Sequence, residues 1–204
     1  MKILNHLFIV IIFTILLITC SSKTNKIEAG ETKQDMKVET QKPQYVISVT
    51  QKDKPMGDIV VELFPDVAPL MCRNFDSLVS IGFYDGTAFH RVMPGFMIQG
   101  GDPNSKNKPK ETWGQGDPSQ TNIRAEFSDI SHMRGILSTA RSKDINSGSS
   151  QFFIMVGDAP RLDHQYTVFG HVISGIGVVD DIVNSPTGER NCPIDKIEMK
   201  IKKK

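Results

Sequence analysis

A mainly β domain with two helices is the fold class that this 204-residue sequence predicts. Three observations support it. Apolar and polar side chains alternate in several short segments, which is the pattern of strands with one buried face. Turn-forming residues separate these segments and favour antiparallel hairpins. Apolar stripes at helical spacing occur in two places, so we expect helices to be the minority.

The first two strands are predicted to form a hairpin. Residues 53–57, Asp-Lys-Pro-Met-Gly, are rich in turn formers and separate two alternating segments. Since side chains of a strand alternate between its faces, each segment presents one apolar face to a core. The apolar residues are Ile47 and Val49 in the first segment, and Ile59, Val61 and Leu63 in the second.

Two helices and a last strand are the other elements that the pattern predicts. The first helix begins near Pro69, a residue that suits the first helical turn, and ends at about Ile81. The second helix runs from about Ile176 to Asn184. The apolar stripe of the first helix consists of Met71, Phe75, Leu78 and Val79, and that of the last strand of Ile197, Met199 and Ile201.

Two motifs carry a resemblance to a known family. Residues 89–102 read Phe-His-Arg-Val-Met-Pro-Gly-Phe-Met-Ile-Gln-Gly-Gly-Asp, and residues 147–154 read Ser-Gly-Ser-Ser-Gln-Phe-Phe-Ile. Both resemble the signature segments of the cyclophilins, a family of peptidyl-prolyl cis/trans isomerases. The likeness extends from about Tyr45 to Ile201. It implies a closed antiparallel eight-stranded β-barrel capped by two α-helices, in which closure removes exposed strand edges.

The reaction that the resemblance implies is rotation about an X-Pro bond, with Arg91 as the catalytic residue. Amide resonance opposes this rotation by roughly 18–20 kcal/mol. At the twisted transition state the imide nitrogen regains its lone pair, so a guanidinium directed at it binds the transition state better than either ground state. Arginine also stays charged and holds its donors in a rigid fork. No metal and no organic cofactor are implied.

The substrate groove is assigned from the resemblance and from strand periodicity. If residues 96–100 are extended, Met97 and Gln99 point to the same face, as do Gln151 and Phe153. The resemblance implies that Met97 and Phe153 are walls of a proline pocket, and that the two glutamines orient the catalytic arginine and the peptide. The other residues that it implies for substrate binding are His90, Phe96, Ala140, Arg141, Leu162 and Tyr166.

Three sites depart from the family pattern. Arg141 and Ser142 stand where many members carry Asn-Ala. Tyr166 replaces a histidine at the pocket rim and keeps an aromatic ring with a polar tip. Arg161 occupies a position that is tryptophan in the members most sensitive to cyclosporin. We therefore predict weak cyclosporin binding.

Residues 1–19 are predicted to be an export signal. Lys2 precedes an apolar run, from Leu7 to Ile18, that is shorter than the ~20 residues needed to span a bilayer. Residues 17–20, Leu-Ile-Thr-Cys, resemble a bacterial lipobox, in which Cys20 is acylated and becomes the mature N-terminus. We expect a lipid-anchored protein of the bacterial cell envelope, in the outer membrane or facing the periplasm. An uncleaved anchor with Cys20 as a bystander is the alternative.

Residues 20–44 are predicted to be a disordered tether, and residues 45–204 the isomerase domain. Ser, Thr, Lys, Glu and Gln dominate the tether, which has too few large apolar side chains to offset its ordering entropy. Within the domain, Cys72 falls on the apolar stripe of the first helix, where a free thiol behaves as a small hydrophobe. We therefore expect Cys72 and Cys192 to be unpaired.

Other functional classes fit the sequence less well. The net charge of +1 argues against nucleic acid as a partner. The histidines lack metal-ligand spacing, and Ser149 and Ser150 lack the context of a hydrolase nucleophile. A monomer that acts on proline-containing segments of exported or envelope proteins is the predicted function. The alternative is a membrane-tethered chaperone or adhesion module of the same fold with little catalysis.

Overall fold

The computed structural model describes residues 42–204. The predicted export signal, the predicted lipidation site Cys20 and the tether up to residue 41 lie outside these described residues. Residues 42–44, expected in the tether, are part of the domain, because the Leu63 amide donates to the Pro43 carbonyl at 2.9 Å and the first strand begins at Gln44. Within residues 42–204, no helix has the length and apolar character needed to cross a membrane.

Eight strands close into an antiparallel barrel. They are β1 (Gln44–Gln51), β2 (Lys54–Leu63), β3 (Thr87–Met93), β4 (Met97–Gly100), β5 (Ile136–Thr139), β6 (Phe152–Met155), β7 (Val168–Ser174) and β8 (Ile197–Lys203). Their order around the barrel is β1-β2-β7-β5-β6-β4-β3-β8, and β8 pairs with β1. The predicted fold class is confirmed.

The hairpin of β1 and β2 forms as predicted, but its turn is shorter and begins one residue earlier. Pairing continues to Gln51 and Lys54, so the turn consists of Lys52 and Asp53, whose φ angles are 50° and 60°. Pro55, expected in the turn, lies in β2 beside a register shift. Such an irregularity tolerates a residue without an amide N–H, which explains why the strand extends through a segment of turn-forming composition.

Two main helices pack against the barrel core, and a third is a single turn. The helices are α1 (Pro69–Ser80), α2 (Asn104–Asn107) and α3 (Ile176–Val183). The first and third end one residue before their predicted limits. Phe75 of α1 is fully buried, and its ring contacts the rings of Tyr45, Tyr84, Phe152 and Phe169. This aromatic cluster ties α1 to strands from both halves of the chain.

Both cysteines of the described chain are free and buried, as expected from the sequence. The Cys72 thiol lies 3.5 Å from the Phe169 carbonyl oxygen. Burial raises the pKa of Cys72 to about 12, so its thiol stays protonated at neutral pH. Cys72 therefore acts as a core residue that joins α1 to β7.

Candidate active site

A hollow of about 230 Å³ is lined by residues of β3, β4 and β6 and of the loops beside them. We call it the Arg91 pocket. It brings together nine of the eleven residues that the sequence analysis assigned to catalysis or substrate binding. These nine are Arg91, Phe96, Met97, Gln99, Ala140, Arg141, Phe153, Leu162 and Tyr166.

Strand register explains why residues so far apart in the chain meet here. β4 lies between β3 and β6, with Gln99 opposite Arg91 on one side and opposite Phe153 on the other. Met97 and Gln99 both line the pocket, whereas Ile98 between them is fully buried in the main core. The predicted alternation is therefore present along β4, whereas Phe96, which precedes the strand, lines the same pocket as Met97.

The wall of the Arg91 pocket is an apolar cluster separate from the barrel core. Met97 and Phe153 are buried within it, and Phe96, Leu162 and Tyr166 pack against it. The rings of Phe153 and Tyr166 meet edge to face, with centroids 5.7 Å apart. Edge-to-face contacts hold aromatic rings in a defined orientation, so the apolar wall of the pocket has a defined shape. A small apolar ring such as that of proline matches this lining.

Arg91 is half-buried at the edge of the pocket and is oriented by neutral partners. Its Nη1 donates to Gln99 Oε1 at 3.4 Å, and its Nη2 lies 2.9 Å from Met93 Sδ. Gln99 Nε2 in turn donates to Gln151 Oε1 at 3.1 Å. Within residues 42–204, no carboxylate forms an ion pair with Arg91. The positive charge of the guanidinium is therefore not compensated by a carboxylate of these residues and can act on a ligand in the pocket.

The two remaining predicted residues, His90 and Gln151, lie outside the Arg91 pocket. Gln151 lines an adjoining groove of about 300 Å³, where its Nε2 donates to the Gly114 carbonyl at 3.3 Å. His90 lines a cavity of about 370 Å³ that Arg91 also borders. Burial lowers the pKa of His90 to about 4, so the imidazole is neutral at pH 7. None of the apolar wall residues of the Arg91 pocket lines this cavity.

His132 is a structural residue of the site that sequence reasoning did not assign. Its fully buried ring stacks on Phe153 with centroids 6.1 Å apart. Its Nδ1 lies 2.8 Å from Asp163 Oδ1, and its Nε2 lies 3.0 Å from Ser138 Oγ. Hydrogen bonds from Ser131 and from His132 lower the pKa of Asp163 to about 2. The one usable sequence signal was that Asp163 follows the predicted wall residue Leu162.

The loop after β4 lines the cavity that contains His90. Its residues Gly114, Gln115 and Gly116 also line the adjoining groove. The buried carboxylate of Asp102 organises the loop by accepting hydrogen bonds from the Asn104 and Gly114 amides. In the described part of the chain, no group of histidines, cysteines and carboxylates has the arrangement of a metal site.

The closed barrel, the apolar pocket and the arginine at its edge define a cyclophilin-like domain. The chain belongs to the cyclophilin-type peptidyl-prolyl cis-trans isomerase family, whose model matches residues 45–203. Membership confirms the predicted reaction, which is cis/trans isomerisation of peptidyl-prolyl bonds.

Relatives and solved structures agree with this assignment. The chain is 42% identical, over 151 residues, to a probable peptidyl-prolyl cis-trans isomerase of Brucella suis, covering 72% of this chain and 76% of the relative. It is 44% identical, over 138 residues, to a peptidyl-prolyl cis-trans isomerase of Acinetobacter baylyi, covering 65% and 70%. A crystal structure of a cyclophilin-type isomerase from Cryptosporidium parvum superposes with a TM-score of 0.70 at 32% identity, covering 80% of this chain and 98% of that one.

Proposed function

We propose that Arg91 accelerates isomerisation by donating a hydrogen bond to the imide nitrogen of an X-Pro bond at its twisted transition state. The proline ring occupies the Arg91 pocket, against Met97 and Phe153. No covalent bond forms or breaks, so the site needs to supply only orientation and electrostatic stabilisation. The nitrogen accepts well only while the amide is twisted, and the hydrogen bond therefore favours the transition state over both planar forms.

The observation that carries this proposal is a guanidinium with neutral partners at the edge of an apolar pocket. Gln99 and Met93 hold Arg91 without neutralising it. An ion pair with a carboxylate would compete with the substrate for the N–H donors of Arg91. Occupation of the pocket by proline is supported by a relative, because the Cryptosporidium parvum cyclophilin-type isomerase was also crystallised in the presence of the dipeptide Ala-Pro.

The test compares the rate of cis/trans exchange in an Ala-Pro peptide, measured by NMR, for wild type and Arg91→Ala. Loss of a single preorganised donor is expected to lower kcat/KM by about 100- to 1,000-fold. Arg91→Lys keeps the charge but not the fork and should recover only part of the rate. Arg134→Ala is the matched control, since Arg134 pairs with Asp180 outside the pocket. Equal rates for wild type and Arg91→Ala would remove the catalytic assignment and favour a peptide-binding module.

The cellular substrates that we propose are proline-containing segments of exported or envelope proteins. Slow prolyl isomerisation commonly limits folding, so an isomerase held at the envelope would act on newly exported chains. The support is the lipobox-like segment that ends at Cys20. Acylation of Cys20 would hold the domain at a membrane through a tether of some twenty residues, and we propose a monomer.

Mass spectrometry of the mature amino terminus tests the anchor. We expect an acylated Cys20 as the first residue, and Cys20→Ala should release the protein into the soluble fraction. Ser21→Ala is the matched control and should remain with the membrane. A mature chain that begins at Met1, or an unmodified Cys20, would contradict the lipid anchor.

A further inference from the structure

Two arginines besides Arg91 stand at the Arg91 pocket, and each is stacked on one of its aromatic residues. The Arg141 guanidinium lies over the Tyr166 ring at 4.6 Å from the centroid, and the Arg161 guanidinium lies over the Phe96 ring at the same distance. A stacked guanidinium keeps its in-plane N–H donors free to bind other groups. Stacking therefore fixes two cations beside the pocket without consuming their charge.

Neither cation is neutralised within residues 42–204. No ion pair in that range includes Arg141 or Arg161. Arg141 donates from Nε and Nη2 to the Gln165 carbonyl and from Nη1 to the Ser142 carbonyl, which leaves a second N–H on each terminal nitrogen. Arg161 is exposed, and its guanidinium has no partner in that range other than the Phe96 ring.

The carboxylates nearest the pocket form no ion pair with these arginines within residues 42–204. Among the described residues, none that lines the Arg91 pocket is acidic. Asp163, two positions after Arg161, is bound to the Ser131 hydroxyl and to His132. Asp117 in the adjoining groove accepts from the Ser119 amide and hydroxyl. Since the whole chain carries a net charge of only +1, the concentration of cations here is a local feature and does not reflect a basic protein.

Arg141 also stands where a bound peptide would have to pass. It lines both the Arg91 pocket and the adjoining groove, together with Gln99 and Ala140. A peptide whose proline fills the pocket and whose neighbouring residues lie in the groove passes beside this guanidinium. Two extended residues span only about 7 Å, so side chains within two positions of the proline come within reach of the stacked cations.

We infer that the enzyme favours proline segments with Asp or Glu within two residues of the proline, and that Arg141 and Arg161 select them. This inference rests on the proposed occupation of the Arg91 pocket by proline. A charged side chain meeting an exposed cation contributes a modest attraction, equivalent to about a two- to five-fold change in kcat/KM for each pair. Like charges should produce the opposite effect, so lysine at the same positions should be disfavoured.

The experiment uses peptides with a single proline and one Glu, Gln or Lys at each of the two positions before and after it. Cis/trans exchange with and without enzyme is measured by NMR, which corrects for the intrinsic effect of each side chain on isomerisation. We expect the Glu-to-Gln ratio of kcat/KM to reach about two to five at the preferred position for wild type. The ratio should fall towards one in about 0.5 M salt, because exposed charges are then screened.

Two variants locate the preference. Arg161→Gln and Arg141→Gln should each lower the Glu-to-Gln ratio, whereas Arg134→Gln removes the same charge away from the pocket and should leave the ratio unchanged. Arg161 is exposed and decides the matter if Arg141→Gln fails to fold. A wild-type ratio of one at all four positions, or an unchanged ratio in Arg161→Gln and in any folded Arg141→Gln, would overturn the inference. Failure of wild type to isomerise even the Gln peptides would instead overturn the proposed function.

Discussion

Two buried histidines lie on different sides of the active site, and their surroundings differ. His132, behind the Phe153 ring, has partners on both ring nitrogens, Asp163 and Ser138. Among residues 42–204, His90, in the cavity that borders Arg91, has no well-formed hydrogen-bond partner on either nitrogen. Both rings are at least nine-tenths buried. The same residue type therefore serves one side of the site as a polar connector and the other as a neutral, packed ring.

The difference shows which side of the site is held by directional bonds. A satisfied buried network specifies one arrangement of its members, so the network of His132 fixes the ring on which Phe153 stacks. The His90 imidazole adds shape and volume to the site. Within residues 42–204, no well-formed hydrogen bond offsets the free-energy cost of removing it from water. Burial lowers the pKa of His90 to about 4, and hydrogen bonds from Ser131 and His132 lower the pKa of Asp163 to about 2.

The largest expected effect comes from replacing each histidine by phenylalanine. His132→Phe removes one hydrogen bond from the partly exposed Asp163 and one from the buried Ser138 hydroxyl, and we expect a loss of about 1–3 kcal/mol in the free energy of unfolding. His90→Phe removes an imidazole that has no well-formed hydrogen-bond partner in the described part of the chain, so its loss should stay below about 1 kcal/mol. Urea unfolding of both variants measures the difference. Equal losses would show that the network of His132 contributes no more than its volume.

The pH dependence of the free energy of unfolding distinguishes His90 from Asp163, because the two residues titrate over different pH ranges. The unfolded chain protonates His90 near its ordinary pKa of 6.5, but the native protein does so only near 4. The free energy of unfolding should therefore decrease as pH falls from about 6.5 to 4, by up to about 1.4 kcal/mol per pH unit from this residue. The pKa of Asp163 is lowered from 3.8 to about 2, so its contribution is lost only as pH falls through that lower range.

The variant His90→Phe provides the control for this titration. In this variant the free energy of unfolding should no longer decrease between pH 6.5 and 4, but it should still decrease below pH 4. Asp163→Asn should remove only the decrease below pH 4. Denaturation midpoints at pH 7, 5 and 3 are sufficient to distinguish these outcomes. An unchanged slope between pH 6.5 and 4 in His90→Phe would mean that another group takes up the proton.

The smallest expected difference between a variant and its control concerns the loop beside His90. A Cβ on Gly114 would lie 3.3 Å from His90 Cδ2 and Nε2, at a φ of +87°. Gly114→Ala should lose about 1–2 kcal/mol from backbone strain and somewhat more from this contact. Gly86→Ala is the matched control, since its φ is +80° but nothing lies within 4 Å of the added carbon. Equal unfolding midpoints for the two variants would argue against close packing between the loop and His90.

Most of the site was predictable because two sequence motifs resemble those of a known family, and strand periodicity added which of their side chains share a face. Met97 and Gln99 share a face in any extended chain, and the resemblance supplied their counterparts across the barrel. The turn at Lys52 and Asp53 was not predictable, since nothing in its composition indicates two consecutive non-glycine residues with positive φ. The pairing of His132 with Asp163 was equally hidden, because 31 residues separate the partners and no spacing rule connects them.

Alternation and apolar stripes in the chain were enough to predict β1, β2, β8 and the two main helices, because each pattern depends on residues only two to four positions apart. Tertiary packing alone decided that His90 has no well-formed hydrogen-bond partner among residues 42–204, that His132 has two, and that Arg141 and Arg161 stack on Tyr166 and Phe96. These outcomes depend on which distant segments barrel closure brings together. Whether a polar group is buried and hydrogen-bonded depends on the segments that pack around it in the fold and not on its neighbours in sequence.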